Sequence, residues 1–143
     1  MNVKDIMQKE VEKAEPTLTV SDAAVRMMDK DIGYLIIVKD SKLAGIITED
    51  DIIKKVVGEG RHPQKTTLAE IMVKDVIHIG PEDTIEDAAQ VMTENKIKKL
   101  PVVDGNRLLG IITASDLVAA EPKMMEQLGE LIVFAKKQKR IAG

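Results

Sequence analysis

Laid against itself at an offset of 65 residues, the chain aligns without a gap from Val3 to Ile53. Ile6-Met7 falls on Ile71-Met72, Ala23-Ala24 on Ala88-Ala89, Met27 on Met92, Leu35 on Leu100 and Val38 on Val103. Gly45-Ile46-Ile47-Thr48 falls on Gly110-Ile111-Ile112-Thr113, and Asp51 on Asp116. A register held over so many positions marks a duplication, so whatever one copy folds into, the other must fold into as well. The chain then divides into a first copy over residues 1–57, a linker over 58–67, a second copy over 68–120 and a tail over 121–143. The linker (Gly58-Glu59-Gly60-Arg61-His62-Pro63-Gln64) is polar and rich in helix and strand breakers.

Each copy reads as strand, helix, strand, strand, helix. In the first, Val11 to Ala14 is a short extended segment ending near Pro16. Thr19, followed three residues later by Asp22, can satisfy free N–H groups and start a helix. That helix runs to about Lys30, with Ala23, Ala24, Met27 and Met28 on one face; Thr84 and Asp87 repeat the cap. Leu35 to Val38 and Ala44 to Ile47 are strand runs rich in β-branched residues. Asp40-Ser41-Lys42 turns the chain between them. The second copy has Asp104-Gly105-Asn106 there, a stronger hairpin signal because Gly and Asn tolerate positive φ. Closing helices follow Thr48 and Thr113. The strands are continuously apolar, so both sheet faces should be covered. One copy is too short to do that alone. The expected fold is therefore a mixed α/β (α+β) chain of two tandem β-α-β-β-α repeats. They are expected to pack sheet to sheet with pseudo-two-fold symmetry, followed by a C-terminal helix.

Composition narrows the functions open to such a chain. The only aromatics are Tyr34 and Phe134, which removes single-strand recognition by base stacking. A net charge of −3 argues against broad electrostatic binding of nucleic acid. The absence of cysteine removes disulfides, thiol nucleophiles and cysteine-based zinc sites. His62 and His78 stand apart and belong to no ligand motif. The start Met1-Asn2-Val3-Lys4-Asp5 has no apolar run after it, and no stretch is long enough to span a membrane, so a cytoplasmic location is expected. No general acid and base pair, metal cluster or activated nucleophile stands at a recognisable spacing, so no enzymatic activity is expected.

The tail lies outside the duplication. Pro122 can open a helix, after which Met124, Leu128, Leu131, Ile132 and Ala135 share one face, widened by Val133 and Phe134. Such a helix either lies back on the domain or forms a dimer contact. The cluster Lys136-Lys137-Gln138-Lys139-Arg140 suits the negative end of a helix dipole, and a surface of RNA or lipid is the sharper alternative.

The strand–Gly–apolar–apolar–Thr–x–x–Asp signature occurs twice in register, as Gly45 to Asp51 and as Gly110 to Asp116. A Leu-x-Val-Val element precedes it, intact as Leu100-Pro101-Val102-Val103-Asp104. The first-copy counterpart, Leu35-Ile36-Ile37-Val38-Lys39, lacks the proline and the acid. This pattern resembles a CBS domain pair, or Bateman module, over nearly everything from Val3 to about Ala120.

The resemblance implies one nucleotide site per copy, in the cleft between the repeats. Asp51 and Asp116 would accept ribose hydroxyls, as an acidic residue does in dinucleotide folds. Thr48 and Thr113, with Asp50 and Ser115 beside them on the first helical turn, would serve ribose or phosphate oxygens. Gly45 and Gly110 would let ligand and backbone approach closely. Adenine would be read by backbone near Glu12 and Ile77, and Lys98 and Lys99 would touch phosphates.

The first copy has Gly33-Tyr34 where the second has the two lysines, so the sites are not equivalent. The lysine-bearing site should prefer phosphates. The other should bind weakly, take an uncharged nucleoside, or stay empty. The implied ligand is an adenosine compound (AMP, ADP, ATP or S-adenosylmethionine), with no further cofactor required. The implied partners are a second copy, in a flat homodimer, and an effector protein. The alternative is a dimerisation or interaction scaffold with vestigial sites, since Thr-x-x-Asp is also an ordinary helix cap.

Overall fold

The structure, a computed structural model, describes the backbone of residues 1–142 and the side chains of residues 1–133. The elements run α1 (Val3–Ile6), β1 (Lys13–Ala14), α2 (Val20–Lys30), β2 (Tyr34–Lys39), β3 (Lys42–Thr48) and α3 (Glu49–Ile52). A π-helical turn, Ile53–Val57, completes α3. After α4 (Leu68–Ile71) the series repeats as α5 (Ile85–Asn95), β4 (Lys99–Asp104), β5 (Arg107–Thr113) and α6 (Ala114–Ala120). A 3-10 turn over Pro122–Met124 leads into α7 (Met125–Ala142).

The elements form where the residue types dictate. Thr19 Oγ1 accepts the Asp22 N–H and opens α2, which closes at Asp31 in the left-handed conformation. Thr84 and Asp87 cap α5 reciprocally, and Lys96 closes it in the same left-handed way. Between β2 and β3 both Asp40 (φ 53°) and Ser41 (φ 65°) take positive φ, whereas Gly105 (φ 63°) carries that conformation between β4 and β5. Short polar side chains tolerate this region without the freedom of glycine, so the hairpin closes in both copies. The short helices α1 and α4 are capped by Asn2 with Asp5 and by Thr67 with Glu70. Neither helix was expected from the sequence pattern.

The chain resolves into two compact units that cut across the duplication. One, the Asp51 unit, comprises residues 11–76 with 106–108. The other, the Asp116 unit, comprises residues 1–10, 77–105 and the chain from 109 onward. Each unit thus takes its leading short helix from the opposite copy: α4 serves the Asp51 unit and α1 the Asp116 unit.

In the Asp51 unit, β1 pairs parallel with β2, through Lys13 and Ile36, and β2 pairs antiparallel with β3, with a bulge between Ile37 and Val38. Arg107 bridges Lys42 at the hairpin end. Leu35, Ile37, Ile47, Leu68 and Ile71 form its core with Ala23 and Met27 of α2. In the Asp116 unit, β4 neighbours β5, and Ile79 bridges Val102 in parallel. Its core gathers Val3, Ala88, Met92, Leu100, Val102, Ile112 and Leu117. Met124 and Leu128 are buried in that core, and Leu131 and Ile132 pack on it. The tail therefore lies back on the Asp116 unit. Phe134, Ala135 and the side chains of the basic cluster from Lys136 to Arg140 lie outside the described residues.

Candidate functional site

Thr113 ends β5 with an extended backbone and caps α6. Its Oγ1 accepts the Asp116 N–H at 3.1 Å, and Asp116 Oδ2 accepts the Thr113 N–H at 2.9 Å. The same carboxylate receives the Gln8 carboxamide, whose Nε2 lies 3.2 Å from Oδ1 and 3.0 Å from Oδ2. Gln8 is held there by its own backbone, which donates to Ile111 O at 2.8 Å and accepts from Ile111 N at 2.9 Å. Lys98 O accepts the Ala114 N–H at 2.7 Å, bringing the residue before β4 to the start of α6. Lys99 heads β4, half-buried, and Ser115 is exposed on the first turn of α6.

The Asp51 unit repeats the frame with other side chains. Asp51 Oδ2 accepts from Thr48 N at 3.0 Å and from the Thr48 hydroxyl at 3.1 Å. Lys55 Nζ stands 3.2 Å from Asp51 Oδ1 and donates to Ile71 O at 3.0 Å. The Asp51 side chain is only 15% exposed, so this charge pair is shielded more than an ordinary surface pair. Ile46 and Val73 exchange backbone hydrogen bonds of 3.0 and 2.9 Å, as Ile111 and Gln8 do in the other unit. Gly33 O accepts from Glu49 N at 3.0 Å, as Lys98 O does from Ala114 N. Asp50 turns outward to Lys54 at 2.8 Å in an exposed pair, which raises the lysine pKa through that hydrogen bond and its charge.

Gly45 and Gly110 are used differently from what the sequence suggested. A Cβ on Gly110 would sit 2.5 Å from Gln8 O and 3.0 Å from Met7 Sδ. On Gly45 it would meet Met72 Sδ at 2.6 Å and Val73 O at 2.9 Å. What approaches these glycines is the leading segment of the opposite copy.

Glu12 spends its carbonyl on Ile36 N at 3.2 Å, and its carboxylate lies 3.9 Å from Lys30. Ile77 is exposed, two residues before the Ile79 bridge. A cavity of about 540 Å³ lies in the Asp51 unit, lined by Lys13, Glu15, Thr19, Asp22, Arg26 and Val38 among others. Val38 is at the far end of β2 from Tyr34, the partner of Thr48, and no signature residue lines this cavity. Among the described residues, no group of His, Asp and Glu side chains is placed to hold a metal ion, and no helix is long and apolar enough to cross a membrane.

Sequence reasoning missed Gln8 and Lys55. Their signal lay in the differences between copies, since Gln8 aligns with Val73 and Lys55 with Ala120.

A family model of the CBS domain matches residues 3–58 and again residues 68–123. The chain belongs to the CBS domain family. It is 34% identical over 116 residues to the CBS domain-containing protein YhcV of Bacillus subtilis (strain 168), covering 81% of this chain and 82% of that one. The solved CBS domain pair of protein MJ0100, in complex with 5′-methylthioadenosine and S-adenosyl-L-methionine, superposes with a TM-score of 0.72 at 33% identity. That match covers 84% of this chain and 94% of the other. The chain is also 37% identical over 123 residues to a homoserine O-acetyltransferase of Methanocorpusculum labreanum. There it covers 85% of this chain and 24% of the enzyme, so a CBS pair also occurs as a minor part of a longer protein. A CBS pair is a regulatory module, and this chain carries both of its repeats.

Proposed function

We propose that this CBS pair is a non-catalytic sensor of an adenine nucleotide of the AMP, ADP or ATP type, in the cytoplasm. Its ligand would sit at the Thr-x-x-Asp helix starts, with Asp116 taking the ribose hydroxyls and Lys98 and Lys99 the phosphates. The observation that carries the proposal is the 2.7 Å bond between Lys98 O and Ala114 N, which sets a cationic residue beside the Thr113–Asp116 turn. A ribose diol and a phosphate on one nucleoside need this combination of an acid and a nearby cation. The complex of the MJ0100 pair with two adenosine compounds supports the same ligand class. Thr48 and Asp51 would form the weaker second site, because Gly33 stands where Lys98 stands and Lys55 already pairs with Asp51. Bound ligand would favour one state of the module over another, and an effector protein that distinguishes the states would receive the signal.

A second reading has its own observation. Both carboxylates already complete helix caps, which they do without any ligand. Val25, Met28, Ile53 and Val57 are exposed apolar residues of the Asp51 unit suited to a homodimer or partner contact. On that reading the protein is an interaction scaffold with vestigial sites.

Thermal unfolding against AMP, ADP, ATP and S-adenosylmethionine, with Asp51→Ala and Asp116→Ala alongside, separates the two. Ligand at about 100 times its Kd stabilises the bound fold by roughly 2.7 kcal/mol. A shift that disappears in Asp116→Ala is the expected outcome. No shift with any compound leaves the scaffold.

A further inference from the structure

The two signature aspartates are answered by different donors, and the exchange is reciprocal. Asp116 has Gln8, with Ala120 at the position aligned with Lys55; Asp51 has Lys55, with Val73 at the position aligned with Gln8. From this, and resting on the sensor reading above, we infer that Gln8 is a displaceable stand-in for the ribose diol. It fills the Asp116 carboxylate in the free protein and sets which ligands gain access to it.

The geometry is that of a held donor. Both backbone groups of Gln8 are bonded to Ile111, and the lack of a Cβ at Gly110 lets the segment lie this close. The fixed Cα delivers the carboxamide, so one nitrogen reaches both oxygens, at 3.2 and 3.0 Å. Those oxygens are the acceptors that two adjacent ribose hydroxyls need. The side chain that must leave is neutral and exposed, so it can rotate into water while its backbone stays paired. The neutral donor also leaves the negative charge of Asp116 uncompensated. At Asp51 the donor is a cation that neutralises the carboxylate and is anchored a second time on Ile71 O. A diol must break an ion pair there, whereas at Asp116 it replaces a single carboxamide.

A ligand with two adjacent hydroxyls replaces both contacts of Gln8, while one that lacks a hydroxyl leaves one oxygen for the carboxamide to reclaim. Gln8 thus sharpens discrimination against deoxynucleotides.

The test is calorimetric titration of the full chain with AMP and with 2′-deoxy-AMP, in wild type, Gln8→Val and Asp116→Ala. Valine is the residue that the other unit carries at this position with the same backbone pairing, so Gln8→Val should fold; an unchanged unfolding midpoint checks this. Removing a competing hydrogen bond to a charged group should tighten AMP by about five- to tenfold. The gain for 2′-deoxy-AMP should be smaller, and Asp116→Ala should bind neither. If wild type binds AMP and Gln8→Val binds it equally or more weakly, the gate is overturned and the sensor stands. If neither protein binds AMP, gate and sensor both fall. Binding by Gln8→Val alone supports the gate and refutes the wild-type chain as an AMP sensor.

Discussion

The Asp51 and Asp116 units share one backbone plan and differ in what is laid on it. In both, a glycine on the last strand admits a crossing segment, and a threonine and an aspartate cap the helix that follows. The Asp116 unit adds a neutral donor to its aspartate and seats the start of α7 on its core. The Asp51 unit adds a cation to its aspartate. Duplication preserves what folding needs, namely the caps, the glycines and the apolar strands, and leaves the few side chains around each carboxylate free to diverge. The divergence, rather than the shared frame, is where one site becomes open to a ligand and the other closed.

The largest test of this contrast is Leu128→Ala. Leu128 is fully buried in the Asp116 core, so truncation should cost about 2–5 kcal/mol. Hydrogen exchange should show lost protection first in β4, β5 and α5. Equal loss in β2 and β3 would mean that the units do not respond separately.

Next come the paired glycines. Gly110→Ala and Gly45→Ala should each cost roughly 1–3 kcal/mol by urea unfolding, with Gly110→Ala the larger. The added carbon at Gly110 meets a backbone oxygen at 2.5 Å, whereas at Gly45 the nearest atom belongs to the flexible Met72 side chain. The reverse order would place the tighter crossing in the Asp51 unit.

Removal of the cap hydroxyls should come next, with Thr48→Ala and Thr113→Ala costing about 1 kcal/mol each. A much larger loss at one of them would break the equivalence of the two frames. Lys55→Ala should change stability least, by under about 1 kcal/mol, and the difference should shrink in salt. It should also raise AMP affinity in an Asp116→Ala background, where only Asp51 remains to bind.

Much of this was legible in the sequence because it is written locally. The 65-residue register, the apolar strand runs and the four Thr-x-x-Asp caps depend on neighbours within a few positions, and their elements stand where the pattern put them. The Asp40-Ser41 turn was the weaker signal, yet it closes as firmly as the one with Gly105, at the cost of two left-handed residues. The partner of residues 1–10 was not legible. Nothing within the segment around Met7 and Gln8 says that it crosses β5, because that choice is made by residues a hundred positions away. The site was half legible for the same reason. Asp51 and Asp116 were named by motif, but the donors that distinguish them, Lys55 and Gln8, lie outside it.

The exchange of leading segments also orders events in time. Residues 1–10 emerge from the ribosome well before the strand that receives them, since Ile111 lies about a hundred residues later. The Asp51 unit, nearly continuous from 11 to 76, has almost all its parts while the Asp116 unit still lacks β5 and α6. Closing that long loop is entropically slow compared with local hairpin formation. The unit begun first on the chain is then the one finished last, and its carboxylate acquires Gln8 only when synthesis is nearly done.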